Sequence, residues 1–305
     1  MVVENKYVRF DWAVKRMLRD KANFGVLEGL ITVLLGEKTQ IVEILESESD
    51  QEQEDEKFNR VDIKAKNAAG DIILVEVQLT RQLYYLERIL YGVAKTLTEH
   101  IKLGSLYKEV KKVYHISIVY FDLGRGSDYL YHGQTRFIGV HTNDELLVST
   151  KEQDVIHMKT PAQVFPEYFI IRVNEFNAVA KTPLEEWLDY LKNGHIKDDT
   201  QTPGLSEARK KLQVMTMTPS ERVAYDRHLD AIMVQEDVLT TAKMEGHAEG
   251  RAEGRAEGRA EGLKEGRTEG LLDTARRMKS DGVPAELIEK YTGLSAEDIE
   301  KLYRP

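Results

Sequence analysis

The sequence predicts an α/β fold, in which a mixed sheet packs against helices and is followed by a helical C-terminal extension. Two observations support this prediction. Helical and strand-like patterns alternate in the order helix, three strands, helix, strand, and helices that separate strands are typical of layered α/β sheets. From Thr182 to Lys243 the pattern turns helical, and Thr218-Pro-Ser-Glu221 is a capping box with proline at the first helical position.

The N-terminal segment predicts two helices and a strand. Residues 10–22 indicate a short basic helix, and Asn23 is placed to cap the helix that follows. Spacings of three and four predict one buried face on this second helix. The residues on that face are Phe24, Leu27, Leu30, Ile31, Leu34 and Leu35. Gln40–Leu45 is the first predicted strand.

The next two strands are predicted to form a hairpin. Arg60–Lys66 alternates strictly between apolar and polar residues, as a half-buried strand does. Residues 67–71 have the composition of a turn. Ile72–Leu79 is apolar except for Glu76 and Gln78, as expected of a central strand covered on both faces.

A helix over about residues 81–103 and a strand at Val113–Phe121 complete the core, and Phe169–Val173 is a further strand candidate. The predicted organisation is a domain at 1–180 with its core at 1–125, a helical extension at 181–243, a Glu-Gly repeat at 244–270 and a small helical module at 271–305. Within this module, short helices are expected at Leu271–Lys279, Pro284–Tyr291 and Ser295–Leu302, separated by Gly282 and Gly293. The module is a candidate for DNA or partner contact.

The Glu-Gly repeat recurs every four residues from Glu245-Gly246 to Glu269-Gly270, and its structure is open to two interpretations. Each glycine costs a helix about 1 kcal/mol relative to alanine, and glutamates four residues apart repel each other. Both effects favour a flexible tether. The alternative is a helix whose row of glycines allows close approach of a second helix in a homo-oligomer.

The composition excludes several kinds of site. The chain has no cysteine, which removes disulfides, thiolate zinc sites and cysteine nucleophiles and suits a reducing cytoplasm. No stretch approaches the roughly 20 apolar residues that span a bilayer, and the first residues have no apolar signal-peptide core. We therefore expect a cytoplasmic protein with no membrane partner. Glycine-rich phosphate-binding loops and Gly-x-Ser-x-Gly motifs are also missing from the sequence.

The formal net charge is −9, but its distribution is uneven. The acidic run Glu46–Glu56 contains seven acidic residues and no basic one. Such a run is typical of a solvated loop, and the alternative is a mobile acidic flap that competes with phosphate for a basic groove. No basic stripe typical of a duplex-binding protein is visible. The local basic candidates are Arg9, Lys15, Arg16, Arg19 and Lys21, followed by Lys108, Lys111 and Lys112.

A carboxylate, Glu76, lies inside the otherwise buried second strand of the hairpin. If the hairpin turns about Ala69, Asp62 lies directly opposite Glu76, with Cβ atoms about 4.5–5.5 Å apart. Two desolvated carboxylates at this distance repel each other unless one is protonated or a cation lies between them. Magnesium commonly binds one or two protein carboxylates. The alternative is a structural ion pair with Lys64 or Arg60.

At these residues the sequence resembles the PD-(D/E)XK nucleases, in the variant where glutamine replaces the terminal lysine: Asp62, a turn, and then Glu76-Val77-Gln78. The flanking sequence is similar to the Rpn-type recombination-promoting nucleases, which are grouped with transposases. The stretches that carry this similarity are FDWAVKRMLRDKANFGVLEGL at 10–30, ESES and KFNRVDI before the motif, RILYGVAK at 88–95, KKVYHISIVYFDLG at 111–124, PEYFIIRVNEF at 166–176 and the Glu-Gly repeat. The resemblance covers nearly the whole chain and implies a restriction-endonuclease-like core with the order α-β-β-β-α-β.

The resemblance implies hydrolysis of DNA phosphodiester bonds with Mg²⁺ or Mn²⁺, and therefore DNA as the partner. Asp62 and Glu76 would bind the metal, with Glu28 on the N-terminal helix as a further ligand, and Gln78 would orient the attacking water. Because glutamine lacks the positive charge of lysine, Lys64 is the candidate to supply it, from the same strand face as Asp62. The alternative function is that of an inactive nuclease fold that binds DNA or another protein.

Other polar residues are expected to be structural. Arg88 and Tyr91 lie three residues apart on the helix after the motif, and a structural role is favoured for both over contact with substrate. His115 is predicted to be a buried core histidine rather than a ligand. His132 and His157 show no ligand spacing, and neither does His141.

Overall fold

The computed structural model describes residues 6–45, 61–101, 106–152 and 155–303. The chain divides into two compact units, Met1–Asp226 and Arg227–Pro305. The acidic run predicted at Glu46–Glu56, together with Arg60, lies outside the described residues. Among the residues that are described, no helix combines the length and the apolar character needed to cross a bilayer.

The first unit begins with two helices, α1 at Phe10–Arg16 and α2 at Phe24–Leu35. The predicted single basic helix over 10–22 is too long, because the chain leaves α1 at Met17 and forms a separate 3-10 turn before α2. Asn23 stands at the N-cap position of α2, but its side chain does not cap the helix. It donates instead to the Met17 carbonyl oxygen over 2.9 Å, which ties the turn to the end of α1.

The strands of the first unit are β1 at Ile41–Leu45, β2 at Ile63–Asn67, β3 at Ile72–Gln78, β4 at Val113–Val119, β5 at Leu130–Gly133, β6 at Val148–Glu152, β7 at Val155–Lys159 and β8 at Glu167–Arg172. Within the described residues, six of them form one sheet in the order β1-β2-β3-β4-β8-β5. The pairs β1–β2, β2–β3 and β5–β8 are antiparallel, whereas β3–β4 and β4–β8 are parallel. The predicted mixed sheet is confirmed, and β6 and β7 pair separately.

Helix α3, at Tyr85–Glu99, connects the parallel strands β3 and β4 and covers one face of the sheet. Val93 on this helix packs with Ile72 and Leu74 of β3 and with Val113 of β4. Every residue of β4 is buried, and so is every residue of β3 except Gln78. A strand covered on both faces has no solvent-facing side, which accounts for its nearly continuous apolar sequence.

Two helices that follow the sheet, α4 at Pro183–Asn193 and α5 at Leu205–Lys211, pack against the N-terminal segment. The ring of Trp187 on α4 meets the ring of Phe10 edge to face, with centroids 5.8 Å apart. Gly29 on α2 lies so close to the backbone of Gly204 that a Cβ at position 29 would be 2.2 Å from its Cα. This approach requires glycine, because any side chain there would hold α2 and α5 apart.

Helix α6 runs without a break from Pro219 to Ser280 and includes the whole Glu-Gly repeat. The capping box is confirmed, since the Glu221 carboxylate accepts from the Thr218 N–H and the Thr218 hydroxyl accepts from the Glu221 N–H. The expectation of a flexible tether is wrong. Alanine, glutamate and arginine between the glycines are strong helix formers, and a helix already started by its cap gains one hydrogen bond per added residue.

The C-terminal helices of the second unit are α7 at Ala285–Thr292 and α8 at Ala296–Tyr303. The third helix predicted here, Leu271–Lys279, is the last part of α6. Gly282 and Gly293 have φ values of 81° and 67° and end the preceding helices, as predicted. Among the described residues, the hydrophobic cluster of this module consists of Ala275, Ile288, Leu294 and Ile299.

Candidate active site

The hairpin of β2 and β3 has the register that a turn about Ala69 predicts. Ile63 pairs with Val75, and the pairing continues without a shift toward the turn. Asp62 comes one residue before β2, and its Oδ2 accepts a hydrogen bond of 2.7 Å from the Val77 N–H. The Asp62 carboxylate is therefore held against the end of β3 by a backbone donor of the neighbouring strand.

Glu76 is only 2% exposed and is surrounded by polar partners. Its Oε1 lies 2.6 Å from Nη2 of Arg88 and accepts a hydrogen bond of 2.7 Å from the Gln78 amide, while its Oε2 lies 3.7 Å from Nε2 of His115. Burial raises the pKa of Glu76; the Arg88 charge and the Gln78 amide oppose this rise, and the Asp62 charge adds to it. The Asp62 carboxylate is thus close enough to disfavour the ionisation of Glu76.

His115 is the buried core histidine that the sequence predicts. It is 1% exposed, and its Nδ1 lies 3.1 Å from the Ser117 hydroxyl oxygen. Burial first, and then the charge of Arg88, lower the pKa of His115 to about 4. The imidazole is therefore neutral at pH 7, and its proximity to Glu76 is not an ion pair.

An open cavity of about 550 Å³ lies in front of these groups. In the described part of the chain it is lined by Lys15, Arg16, Arg19, Asp62, Gln78 and Arg88. Four of these six residues are cations, so the cavity is basic although the whole chain is acidic. Its cations come from α1 and the turn after it and from α3, far apart in sequence, which is why no basic stripe is visible before folding.

Arg19 fastens the N-terminal segment to the hairpin. Its guanidinium donates two hydrogen bonds, of 2.7 Å and 3.1 Å, to the main-chain carbonyl oxygen of Asp62. The neighbouring Arg16 lies over the ring of Trp12, with 5.2 Å between its Cζ and the ring centroid. These contacts hold the cations of the N-terminal segment at the rim of the cavity.

Two other predicted site residues are engaged elsewhere in this structure. The Lys64 ammonium lies 2.7 Å from the Glu99 carboxylate on α3, and Lys64 does not line the cavity. Oε1 of Glu28 accepts a hydrogen bond of 2.7 Å from the Ile41 N–H at the start of β1. The structure therefore brings Asp62, Glu76 and Gln78 together but gives Lys64 and Glu28 other partners.

The candidate metal ligands fit a divalent cation in the chemistry of their donors. Asp62 borders the cavity, Glu76 lies behind it, and both offer the carboxylate oxygens that hard cations prefer. Burial, as the largest cause, and the Asp62 charge disfavour the ionised form of Glu76, and a cation bound to Glu76 would favour that form. Among the described residues, no cluster of three histidine or acidic side chains is arranged to hold a metal.

Arg88 is the residue of this site whose contact the sequence did not reveal. A structural role was favoured for it, and it has one as the partner of Glu76, yet it also lines the cavity. The helical spacing of Arg88 indicates its position. It follows Tyr85 by three residues and precedes Gly92 by four, and both of these residues are buried on α3. Position 88 therefore borders the face of α3 that packs on the sheet. Tyr91, the other residue considered there, is 37% exposed.

One of three comparisons with known proteins gives a match for this chain. The family model described as "PD-(D/E)XK nuclease family transposase" matches residues 8–242. Comparison with curated proteins and with solved structures gives no significant match. The matched residues include the complete six-stranded sheet, the hairpin with its acidic pair and all the cations around the cavity. On the strength of this match, which extends over more than half of its length, the chain belongs to the PD-(D/E)XK nuclease family transposases.

Proposed function

We propose that the protein is a DNA endonuclease that depends on Mg²⁺ or Mn²⁺. Membership of the family supports a nuclease-type function. The observation that carries the proposal is the position of Asp62 and Gln78 in the lining of a cavity with four cations, with Glu76 buried next to Gln78. A polyanionic substrate is attracted to such a cavity, and its phosphates are brought to the acidic pair.

The cations position the substrate. Lys15 and Arg16 lie on α1, Arg19 follows them, and Arg88 reaches the cavity from α3. Contacts from basic side chains to phosphate oxygens fix the register of a protein on DNA without reading its sequence. We therefore expect these four residues to hold the backbone on both sides of the scissile phosphate.

Asp62 and Glu76 are the residues that would hold the metal. When bound, a divalent ion lowers the pKa of a coordinated water and polarises the phosphoryl group. Gln78 faces the cavity and donates its amide to Glu76, so the orientation of its side chain is set and its Oε1 is left as an acceptor. We expect this oxygen to accept a hydrogen bond from the attacking water and to orient it.

Arg88 takes part in two alternative interactions in this proposal. In the present structure its guanidinium compensates the buried charge of Glu76. A cation bound by Glu76 would replace that compensation, and the guanidinium would then be available to a phosphate oxygen, for which its planar donors are well suited. DNA and metal are therefore expected to bind cooperatively.

The second candidate function is that of an inactive nuclease fold that binds DNA or another protein. Its support is the state of Glu76, which is almost fully buried and already compensated by Arg88. Gln78 also lacks the positive charge of the usual lysine. In this case the basic cavity would bind DNA without cutting it.

Supercoiled plasmid distinguishes the two candidates. The protein is incubated with plasmid and Mg²⁺, with EDTA in place of Mg²⁺, and as the Asp62→Asn variant with Mg²⁺. Asparagine keeps an oxygen that can accept from the Val77 N–H, so this variant tests the charge of Asp62 more than its structural role. The proposal expects nicking only by the native protein with Mg²⁺. Binding without nicking supports the inactive fold, and equal nicking in all lanes indicates contamination and contradicts the proposed activity.

A further inference from the structure

A second, smaller cavity of about 200 Å³ lies beside the candidate active site. It is formed by the loop between β3 and α3, the first turn of α3 and the segment after β4. Its apolar lining consists of Leu83, Tyr85, Leu86, Phe121 and Leu123. The proposed phosphodiester hydrolysis does not use this cavity.

The cavity has a rigid aromatic floor and exposed aliphatic walls. Tyr85 and Phe121 are 1% and 8% exposed, and their rings meet edge to face with centroids 5.6 Å apart. Leu83 and Leu86, by contrast, are 82% and 58% exposed. Large apolar side chains that stand in solvent around a recess are typical of a surface that another molecule covers.

The polar groups of the cavity connect it to the active site. Gln82 lines it, and Oε1 of Gln82 accepts a hydrogen bond of 3.0 Å from Nη1 of Arg88. The Gln82 amide nitrogen also lies 3.5 Å from Oε1 of Gln78. The Gln82 side chain thus contacts both Arg88 and Gln78, and these two residues line the larger basic cavity. A ligand in the smaller cavity would be a close neighbour of a phosphate in the larger one.

We propose that the smaller cavity receives one unpaired nucleobase of the DNA substrate. This inference rests on the proposed function, because it takes DNA to be the substrate. A base has two apolar faces and a polar edge. Leu83 and Leu86 match the faces, Glu87 and Asp122 offer acceptors for exocyclic amino groups, and the exposed Arg81 offers a cation to the adjoining phosphate.

The charges around the recess favour DNA over a protein partner as its occupant. Leu83, in the turn before α3, and Leu86 and Leu90 on α3 form an exposed apolar row, and such a row also suits a protein. The recess itself carries Arg81 together with the carboxylates Glu87 and Asp122, so the positive charge comes from the four cations of the cavity that it adjoins. A polyanion with an apolar base complements both features at once, whereas an apolar protein surface complements only the leucines.

Fluorescence anisotropy with two DNA probes tests the proposal. One probe is a fully paired duplex, and the other is the same duplex with a single bulged cytosine. Binding of the full chain is measured in EDTA, so that no cleavage occurs. We expect the native protein to bind the bulged probe about fivefold more tightly, since burial of about 40 Å² of apolar surface at roughly 25 cal/mol per Å² has this effect.

Variants of the exposed leucines locate the effect. Leu83→Ala and Leu86→Ala are expected to reduce the preference for the bulged probe toward unity, with little effect on the affinity for the paired duplex. Leu90→Ala is the matched control for Leu86→Ala. Leu90 is 61% exposed, close to the 58% of Leu86, lies one turn further along α3 and does not line the cavity. This variant is expected to keep the full preference.

Three results overturn the inference. The first is equal affinity of the native protein for both probes, and the second is an equal loss of preference in all three variants. The third is a concentration-dependent molecular mass that Leu83→Ala abolishes, because this result would show that the leucine row contacts another protein molecule. If either of the first two occurs while plasmid nicking with Mg²⁺ persists, only the base-binding inference fails. If the protein binds neither probe and nicks no plasmid, the proposed function fails as well.

Discussion

Arg88 and Glu76 form an ion pair at the boundary between the core and the basic cavity, with 2.6 Å between Nη2 and Oε1. The Glu76 side chain is 3% exposed and that of Arg88 is 36% exposed. A buried charge that loses its partner costs more than the pair itself contributes. Glu76 therefore depends on Arg88 for its ionised form unless another cation takes its place.

Substitution of Arg88 is expected to impair cleavage far more than substitution of Lys64. Arg88→Met removes a cation of the cavity, and loss of one such stabilising donor costs about a hundredfold or more in turnover. Lys64→Met breaks the ion pair with Glu99 outside the cavity, so it should lower the free energy of unfolding by about 1–3 kcal/mol. Single-turnover cleavage and urea denaturation measure the two effects. If Lys64→Met lost cleavage without losing stability, Lys64 rather than Arg88 would be the residue that supplies the positive charge for catalysis.

The salt dependence of DNA binding is expected to report on Lys15. This exposed side chain lines the basic cavity, and each phosphate contact contributes about 0.9 to the slope of log K against log salt concentration. Lys15→Ala should reduce the slope by about that amount. The control is Lys210→Ala, which removes an exposed lysine outside the cavity. Equal slopes for Lys15→Ala and the native protein would place the DNA elsewhere.

Glu186 is expected to make folding stability depend on acidic pH. Burial acts to raise its pKa, but hydrogen bonds from Thr200, Thr202 and Lys197 outweigh burial and lower it. A carboxylate with a lowered pKa stabilises the fold above its unfolded-state pKa, and that stability is lost as pH falls through the folded-state value. Glu186→Gln should therefore reduce the free energy of unfolding at pH 7 by about 1 kcal/mol.

Urea denaturation at several pH values checks this expectation. The difference between Glu186→Gln and the native protein should shrink as the pH falls below the unfolded-state pKa of glutamate and through the lowered folded-state pKa, where the native carboxylate also becomes protonated. Glu207→Gln is the control, because Glu207 is 41% exposed and should change stability by less than about 0.5 kcal/mol. A difference that stays constant from pH 7 to pH 3 would mean that the charge of Glu186 is unimportant.

Alanine substitutions in the Glu-Gly repeat distinguish intrinsic helix stability from oligomerisation. Around Gly254 and Gly258, no heavy atom other than the neighbouring residues and backbone of α6 itself lies within 4 Å of the position that a Cβ would take. Alanine there should stabilise α6 by about 1 kcal/mol at each position, seen as a higher melting temperature in circular dichroism at 222 nm. Sedimentation velocity of the same variants tests the glycine row. A lower mass than that of the native protein would show that the glycines form a contact between copies of the chain.

The hairpin was predictable because its information is local. Strict alternation in β2, the turn residues and the apolar run of β3 determine which strands pair, and the register about Ala69 follows from the same pattern. Fold class and family were predictable for a related reason, since the motif and its flanks occur in a fixed order. The positions of Asp62 and Glu76 near each other follow from that register.

The basic cavity was not predictable, because it depends on contacts between distant segments. Neither the Arg19 bonds to the Asp62 carbonyl nor the Arg88 pair with Glu76 has a signature in neighbouring residues. The helical state of the repeat was missed for another reason. The helix propensity of glycine describes each residue by itself, whereas α6 is also stabilised by a cap at Thr218 and by the packing of Ala275 near its end.

A hydrogen bond of 2.7 Å from the Tyr190 hydroxyl to the Val8 carbonyl oxygen joins positions 182 residues apart. A ribosome must therefore synthesise nearly the entire first unit before α4 can pack on the segment that leads into α1. Domains fold as units while synthesis proceeds from the N-terminus, so a nascent chain interrupted before Trp187 leaves Phe10 without its two aromatic neighbours, Trp187 and Tyr190. Such a fragment also lacks a firm support for the cations of α1. Under the proposed function, incomplete translation products would therefore lack supported cations with which to hold DNA.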